Sequence, residues 1–123
     1  MGRVVSVQRN GGKLKKSKQN SNTVSITPAD GVTLTRNNSA RLGRLVVINA
    51  YFTCNSLTAN TATSIGTIEA GARPSGETAI MGFDPNTHTF CDGWLTTAGL
   101  IRVVPPNTAT NRQIRVAFCF MAA

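Results

Sequence analysis

The chain has 123 residues, enough for one domain with a two-sheet core and too few for a Rossmann or TIM fold. Thirteen Lys and Arg against five Asp and Glu give a net charge of +8. Hydrophobic residues make up 41%, yet no apolar run approaches the ~20 residues of a membrane helix, so no membrane insertion is expected.

The basicity is concentrated at the N-terminus. Arg3, Arg9, Lys13, Lys15, Lys16 and Lys18 supply six positive charges before the first acid, Asp30. Beyond residue 18 the balance is seven basic against five acidic residues. The chain therefore divides into a basic arm, residues 1–22, and a nearly neutral body, residues 23–123. Such an arm suits nucleic acid or an acidic protein surface, and equally a solvated tail. Val4, Val5 and Val7 form a short apolar patch suited to adding a strand to a neighbouring sheet. The Met1-Gly2-Arg3 start has no apolar stretch of the secretory type, so no export signal is expected.

From Thr23 the pattern is β throughout. Val24 and Ile26 alternate with Thr23, Ser25 and Thr27, and Val32 and Leu34 alternate with Thr33 and Thr35. Pro28-Ala29-Asp30-Gly31 separates the two runs as a turn. Gly43 precedes a long apolar run, 45–52. Asp84-Pro85-Asn86 reads as a turn, and Asp92-Gly93 as a tight hairpin between Phe90 and Trp94. Pro105-Pro106-Asn107 breaks the chain before a last strand, 112–121. Eight or nine short strands and no helix predict an all-β, two-sheet antiparallel sandwich or jelly roll preceded by an extended arm.

Two of these strands are apolar on both faces. In 45–52 residues of both parities are largely hydrophobic, and 112–121 partly follows, with Ile114, Val116, Phe118 and Phe120 on one side and Arg115, Ala117, Cys119 and Met121 on the other. A sandwich this small has one interior, so the second face implies cover by another subunit and hence a homo-oligomer.

Catalytic chemistry finds little support, and no catalytic residue, cofactor or metal is assigned. His88 is the single histidine and lacks a nucleophile motif around it, while Ser75, between Pro74 and Gly76, sits in turn chemistry. Asp30, Asp84 and Asp92 fall in predicted turns, which leaves Glu69 and Glu77 with nothing to select them as an acid/base pair. Three cysteines, Cys54, Cys91 and Cys119, are expected as buried reduced thiols, with Cys54 and Cys119 as possible neighbours. Arg36, Arg41 and Arg44 form a second local basic group.

The stretch Ile65-Gly66-Thr67-Ile68, Gly71, Arg73-Pro74-Ser75, followed by Asp92-Gly93, Leu100-Ile101-Arg102-Val103 and the closing strand from Ile114 to Phe120, is ordered as in a known group. Over residues 32–121 the chain resembles the head domains of bacteriophage receptor-binding and tail-fibre proteins. The resemblance implies a trimeric jelly roll of the tumour-necrosis-factor and C1q type, a non-enzymatic virion component that binds host-surface saccharide or protein. It also implies assembly in the bacterial cytoplasm, where thiols stay reduced. The residues themselves suggest that Pro74 marks a surface strand exit and Gly66 a bulge or close approach. Ligand contacts are expected from loops 55–63, 84–88 and 107–111, with His88, Trp94, Asn86 and Asn107 as candidates. Family heads follow a long fibre or neck, whereas a short basic arm precedes this one. A second reading is therefore a capsid decoration or cement protein whose arm residues Arg3 to Lys18 grip other virion proteins. A third is a nucleic-acid-binding shell protein.

Overall fold

The computed structural model describes residues 7–10, 13–16 and 22–123. Of the expected arm contacts, Arg3 and Lys18 lie outside these residues, as do Val4 and Val5. The others fall on two short strands, β1 (Val7–Asn10) and β2 (Lys13–Lys16), paired antiparallel from Val7↔Lys16 to Asn10↔Lys13. No strand pair is expected within the arm from its sequence, although Asn10-Gly11-Gly12 between two short runs carries the signal for one.

The body is a single ten-stranded sheet. Its spine is β7 (Leu45–Leu57), whose residues alternate between the core and the outside: Val46, Ile48, Ala50 and Phe52 are fully buried, while Leu45 and Val47 are exposed. β12 (Ala109–Met121) pairs with it along its whole length, from Leu57↔Ala109 to Leu45↔Met121. On the far side of β12 follow β9 (Thr78–Asp84), β10 (Thr89–Leu95), β11 (Leu100–Val104), β8 (Thr63–Ile68) and β4 (Ile26–Pro28). On the other side of β7 lie β5 (Val32–Asn37) along one half and β6 (Ala40–Leu42) along the other, with β3 (Asn22–Thr23) beyond β6.

The sheet path thus starts at β3 and ends at β4, which are two halves of one segment separated by Val24-Ser25. That segment ties the two edges together. The Val24 amide donates to Ser39 O at 3.1 Å, the Ser25 amide to Glu69 Oε1 at 2.8 Å, and the Glu69 amide to Ser25 O at 3.0 Å. Curling brings the two halves of the sheet face to face, which is the expected antiparallel sandwich, and leaves these edges covered. The layers part at β12, which meets β9 only at Arg115↔Phe83 and Val116↔Gly82.

One core fills the interior: Val24, Ile48, Phe52, Ile65, Ile68, Leu95, Ile101 and Ile114 are all at 0% exposure. Each such side chain contributes roughly 1.5–3 kcal/mol by leaving water. Gly66 belongs to this packing, because a Cβ there would lie 3.0 Å from Ile26 Cγ2 and 3.1 Å from a Phe52 ring carbon. The pairing beside it slips, Ile101 facing Gly66 and Arg102 facing Ser64, so Ile65 is the extra residue of a bulge.

Several expectations need correction. Asp92-Gly93 is not a hairpin; both residues lie inside β10, paired with Met81 and Ile80 on one side and Val104 and Val103 on the other. Glycine is required there because the Arg102 carbonyl approaches to 2.5 Å of where a Cβ would stand. The body has ten strands where eight or nine were counted, since β3 and β6 are too short to carry a pattern. Pro74 is buried and bridges to Ala122, so it does not mark a surface exit. Cys119 is exposed, unlike Cys54 and Cys91. Register places Cys119 opposite Val47 and Cys54 opposite Arg112, so Cys54 and Cys119 are not neighbours; Cys91 is the thiol close enough to act on Cys54.

Candidate functional site

Three of the loops singled out from sequence meet at one end of the sandwich. The Asn60 amide donates to Pro105 O at 2.7 Å and the Ala59 amide to Thr108 Oγ1 at 3.0 Å, joining the β7–β8 and β11–β12 connections. The β9–β10 turn is tied to the start of β12 by an ion pair between Asp84 and Arg112, with Nη1 to Oδ2 at 2.5 Å. The β4–β5 turn joins the same rim, where the Asn55 amide donates to Gly31 O at 2.8 Å. Asn86, His88 and Asn107 are exposed on these loops.

Asp84 organises the rim. It is 4% exposed, Arg112 holds its Oδ2, and its Oδ1 accepts from the Asn86 amide at 2.8 Å. Burial alone pushes the carboxyl up. The Arg112 guanidinium, the Asn86 amide and the Thr87 hydroxyl outweigh burial and hold it below its ordinary value of 3.8. Among the described residues, the non-glycine residues with left-handed backbone are Asn60 (φ 57°), His88 (φ 56°) and Asn111 (φ 50°), and all three sit at this end. That conformation costs roughly 1–2 kcal/mol per residue and is tolerated best by short polar side chains. The rim therefore presents amides and hydroxyls that both donate and accept, the complement of sugar hydroxyls or a polar peptide surface.

Trp94 is not part of that group. It lies five residues along β10 from Thr89, about 17 Å at ~3.4 Å per residue, half-buried, with the Arg102 guanidinium 5.7 Å from its ring centre. The aromatic surface nearest the rim comes from residues the sequence reading passed over. Phe90, 65% exposed, pairs with Phe83 at 5.2 Å between ring centres, and Phe83 lies 6.5 Å from His88. The strand alternation of Phe90, Asp92 and Trp94 against Cys91, Gly93 and Leu95 carries the signal for this, and it was hidden by reading Asp92-Gly93 as a turn.

Below the rim, on the outer face where β12 and β9 splay apart, is a groove of about 480 Å³ lined by Tyr51, Phe83, Phe90, Met81, Asn49 and Arg115 among others. Arg115 stacks on Tyr51 with its guanidinium carbon 4.5 Å from the ring centre, and Arg36 approaches the same ring at 5.4 Å. The apolar second face anticipated from sequence continues from this groove: Leu42, Leu45, Val47, Met81 and Met121 are 40–57% exposed. Arg36, Arg41 and Arg44 do not act together. Arg41 is bound to the carbonyls of Gly43 and Gly71, and Arg44 Nε donates to Ala122 O at 3.0 Å. Among the described residues no three His, Cys, Asp or Glu side chains converge as metal ligands.

No protein-family model matches the chain, and no curated protein does. Solved structures do. The head domain of phage bIL170, described among the receptor-binding domains of lactococcal phages, superposes with a TM-score of 0.62 at 12% identity, over 86% of this chain and 100% of that one. The chain shares the fold of that head domain.

Proposed function

We propose that the chain is a non-enzymatic phage virion protein, a head that attaches the particle to a saccharide or protein of the bacterial surface and works as a homotrimer. The observation that carries the reading is the coincidence of a head-domain fold spanning the whole of the bIL170 domain with a rim of polar loops held in place by Asp84 and Arg112. Attachment of this kind needs no bond to break. It needs donors and acceptors fixed before the ligand arrives, so that little ordering cost falls on binding. Asn86, His88 and Asn107 supply them at the rim, and Phe90 offers an apolar face to a sugar ring. Trp94 belongs to this reading only as a separate contact further down the sheet.

The test is binding of the purified full chain to an array of bacterial surface saccharides and to intact cells. Saturable binding that weakens in His88→Ala and Asn107→Ala, with the saccharide recovered at unchanged mass, is the expected outcome. Binding to neither saccharide nor cells would refute the proposal, and a cleaved saccharide would refute its non-enzymatic part.

The six basic residues of the arm favour a second reading, in which Arg3, Arg9, Lys13, Lys15, Lys16 and Lys18 anchor the chain to an acidic virion protein as a capsid decoration. Removing residues 1–20 would then abolish incorporation into particles while leaving cell binding intact. Tight DNA or RNA binding at physiological salt would instead favour the shell-protein reading.

A further inference from the structure

From the rim, the outer face of β10 runs down the sheet as a row of three side chains. Cys91, Gly93 and Leu95 go into the core, which turns Phe90, Asp92 and Trp94 outward. Phe90 is 65% exposed, Asp92 is exposed and Trp94 is half-buried. At ~3.4 Å per residue, successive members of the row stand about 7 Å apart, and Phe90 and Trp94 about 14 Å.

Two irregularities of the sheet meet at Trp94. Arg102 faces it from β11, with the guanidinium carbon 5.7 Å from the ring centre. On the other side of Arg102 the pairing slips at the bulge, and Arg102 Nη1 donates to Ser64 Oγ at 2.8 Å. That bond uses one of the five guanidinium N–H groups and fixes the plane of the rest. At Gly93 the Arg102 carbonyl comes to 2.5 Å from where a Cβ would stand, so β10 and β11 are drawn together at this point. Across β9, Trp94 has only the small Ala79 opposite it.

Asp92 pairs with Val104 and is therefore diagonal to Arg102, with the Cβ atoms about 7–8 Å apart. Its Oδ1 accepts from the Gly93 amide at 2.9 Å. Among the described residues, Asp92 and Arg102 form no ion pair with each other. An aromatic face edged by a guanidinium that only donates and a carboxylate that only accepts matches a pyranose ring. Such a ring has an apolar C–H face and neighbouring hydroxyls that both accept and donate. The two charges cancel, which favours a neutral sugar over a charged ligand.

We propose that the row Phe90, Asp92 and Trp94, with Arg102, is a second subsite for a neutral oligosaccharide that runs down β10 from the rim. Trp94 stacks on one sugar ring while Arg102 and Asp92 bind its hydroxyls. The inference rests on the saccharide form of the proposal above and adds the class of ligand. That class is a chain of several neutral units laid along the strand, held at the rim and again at Trp94 about 17 Å away. The second contact is then intramolecular, so affinity depends on the length of the sugar chain.

Trp94 is the single tryptophan, so tryptophan fluorescence reports this subsite alone. The experiment uses the full chain. Its probe is the wall polysaccharide of cells that the chain binds, cut by partial acid hydrolysis and graded by size, with affinity read by calorimetry. Fragments long enough to span rim and Trp94 are expected to change the tryptophan emission saturably and to bind about tenfold or more tighter than short ones. Trp94→Ala and Asp92→Asn should each weaken the long fragments about tenfold and leave short ones unchanged. Asp92→Asn keeps the oxygen that accepts from Gly93, so it removes the charge without disturbing the strand. His88→Ala should instead weaken the short fragments. Long fragments that leave the emission unchanged and bind both variants like wild type overturn this subsite and leave the rim standing. Cells bound without any fragment bound overturn it together with the saccharide form, and assign attachment to a surface protein. Failure to bind any cells overturns this inference along with attachment itself.

Discussion

Asp84→Asn is the most informative single change to the rim. The side chain keeps its shape but loses the charge that Arg112 pairs with and one acceptor preference toward the Asn86 amide. Removing one partner of a fully buried ion pair costs about 3–5 kcal/mol, because the other charge is left desolvated. Here Asp84 is buried, but the Arg112 side chain keeps 22% of its surface in water, so part of that cost is relieved. We expect a loss of about 2 kcal/mol, below that range because Arg112 stays partly solvated, which is a large share of a typical total stability of 5–15 kcal/mol. At roughly 4–5 °C per kcal/mol for a body of about 100 residues, Tm should fall by about 8–10 °C.

The pH dependence follows from the direction of the shift. The folded carboxyl titrates below its ordinary value of 3.8, so its contribution is fully present above that value and is lost as pH falls through the lower folded value. The wild type should therefore lose stability steeply below about pH 4, and Asp84→Asn should be flatter over the same window. Thermal unfolding at pH 7 and at steps down to pH 2, at one protein concentration, measures both effects. Hydrogen exchange at Asn86, whose amide Asp84 accepts, should accelerate in the variant. A Tm within a degree of wild type at pH 7, with parallel acid limbs, would refute the claim that this pair holds the rim together.

Phe52→Ala should cost about 3–5 kcal/mol by emptying a fully buried site on the spine strand, measured by denaturant unfolding. Gly93→Ala should cost about 3 kcal/mol, since the added methyl meets the Arg102 carbonyl, a backbone atom that moves only if the β10–β11 ladder opens; a cost under 1 kcal/mol would contradict the close approach. His88→Val should lower stability by about 1–2 kcal/mol while His88→Asn stays near wild type, because a β-branched residue resists the left-handed backbone at φ 56°. Burial, helped by nearby Cys91, pushes the Cys54 thiol up to about 11, so at pH 8 it should resist alkylation until the protein is unfolded, as mass spectrometry would show.

The sequence by itself determined the fold class, the position of the spine strands and the doubly apolar character of β7 and β12. Those features are local: a period of two, a β-branched composition and a turn residue act within a few positions of one another, and each is visible in a single stretch of chain. The turns at Pro28–Gly31 and Asp84–Asn86 were legible for the same reason. Asp92-Gly93 was misread because the pair suits a hairpin turn and also suits a strand in which a neighbouring carbonyl needs the space of a missing side chain. Only the partner strand, with Arg102 drawn close, decides between them.

The site shows the same division. His88, Asn86 and Asn107 were named from loop composition, but that their loops share one end is a consequence of how β7, β9 and β12 run past one another. The sheet's closure through Val24-Ser25, the Asp84–Arg112 pair between residues 28 apart, the departure of Trp94 from the rim and the arrival of Phe90 near it were all decided in three dimensions. They depend on which strands become neighbours, and that is settled by the whole core closing at once around Phe52 and its companions.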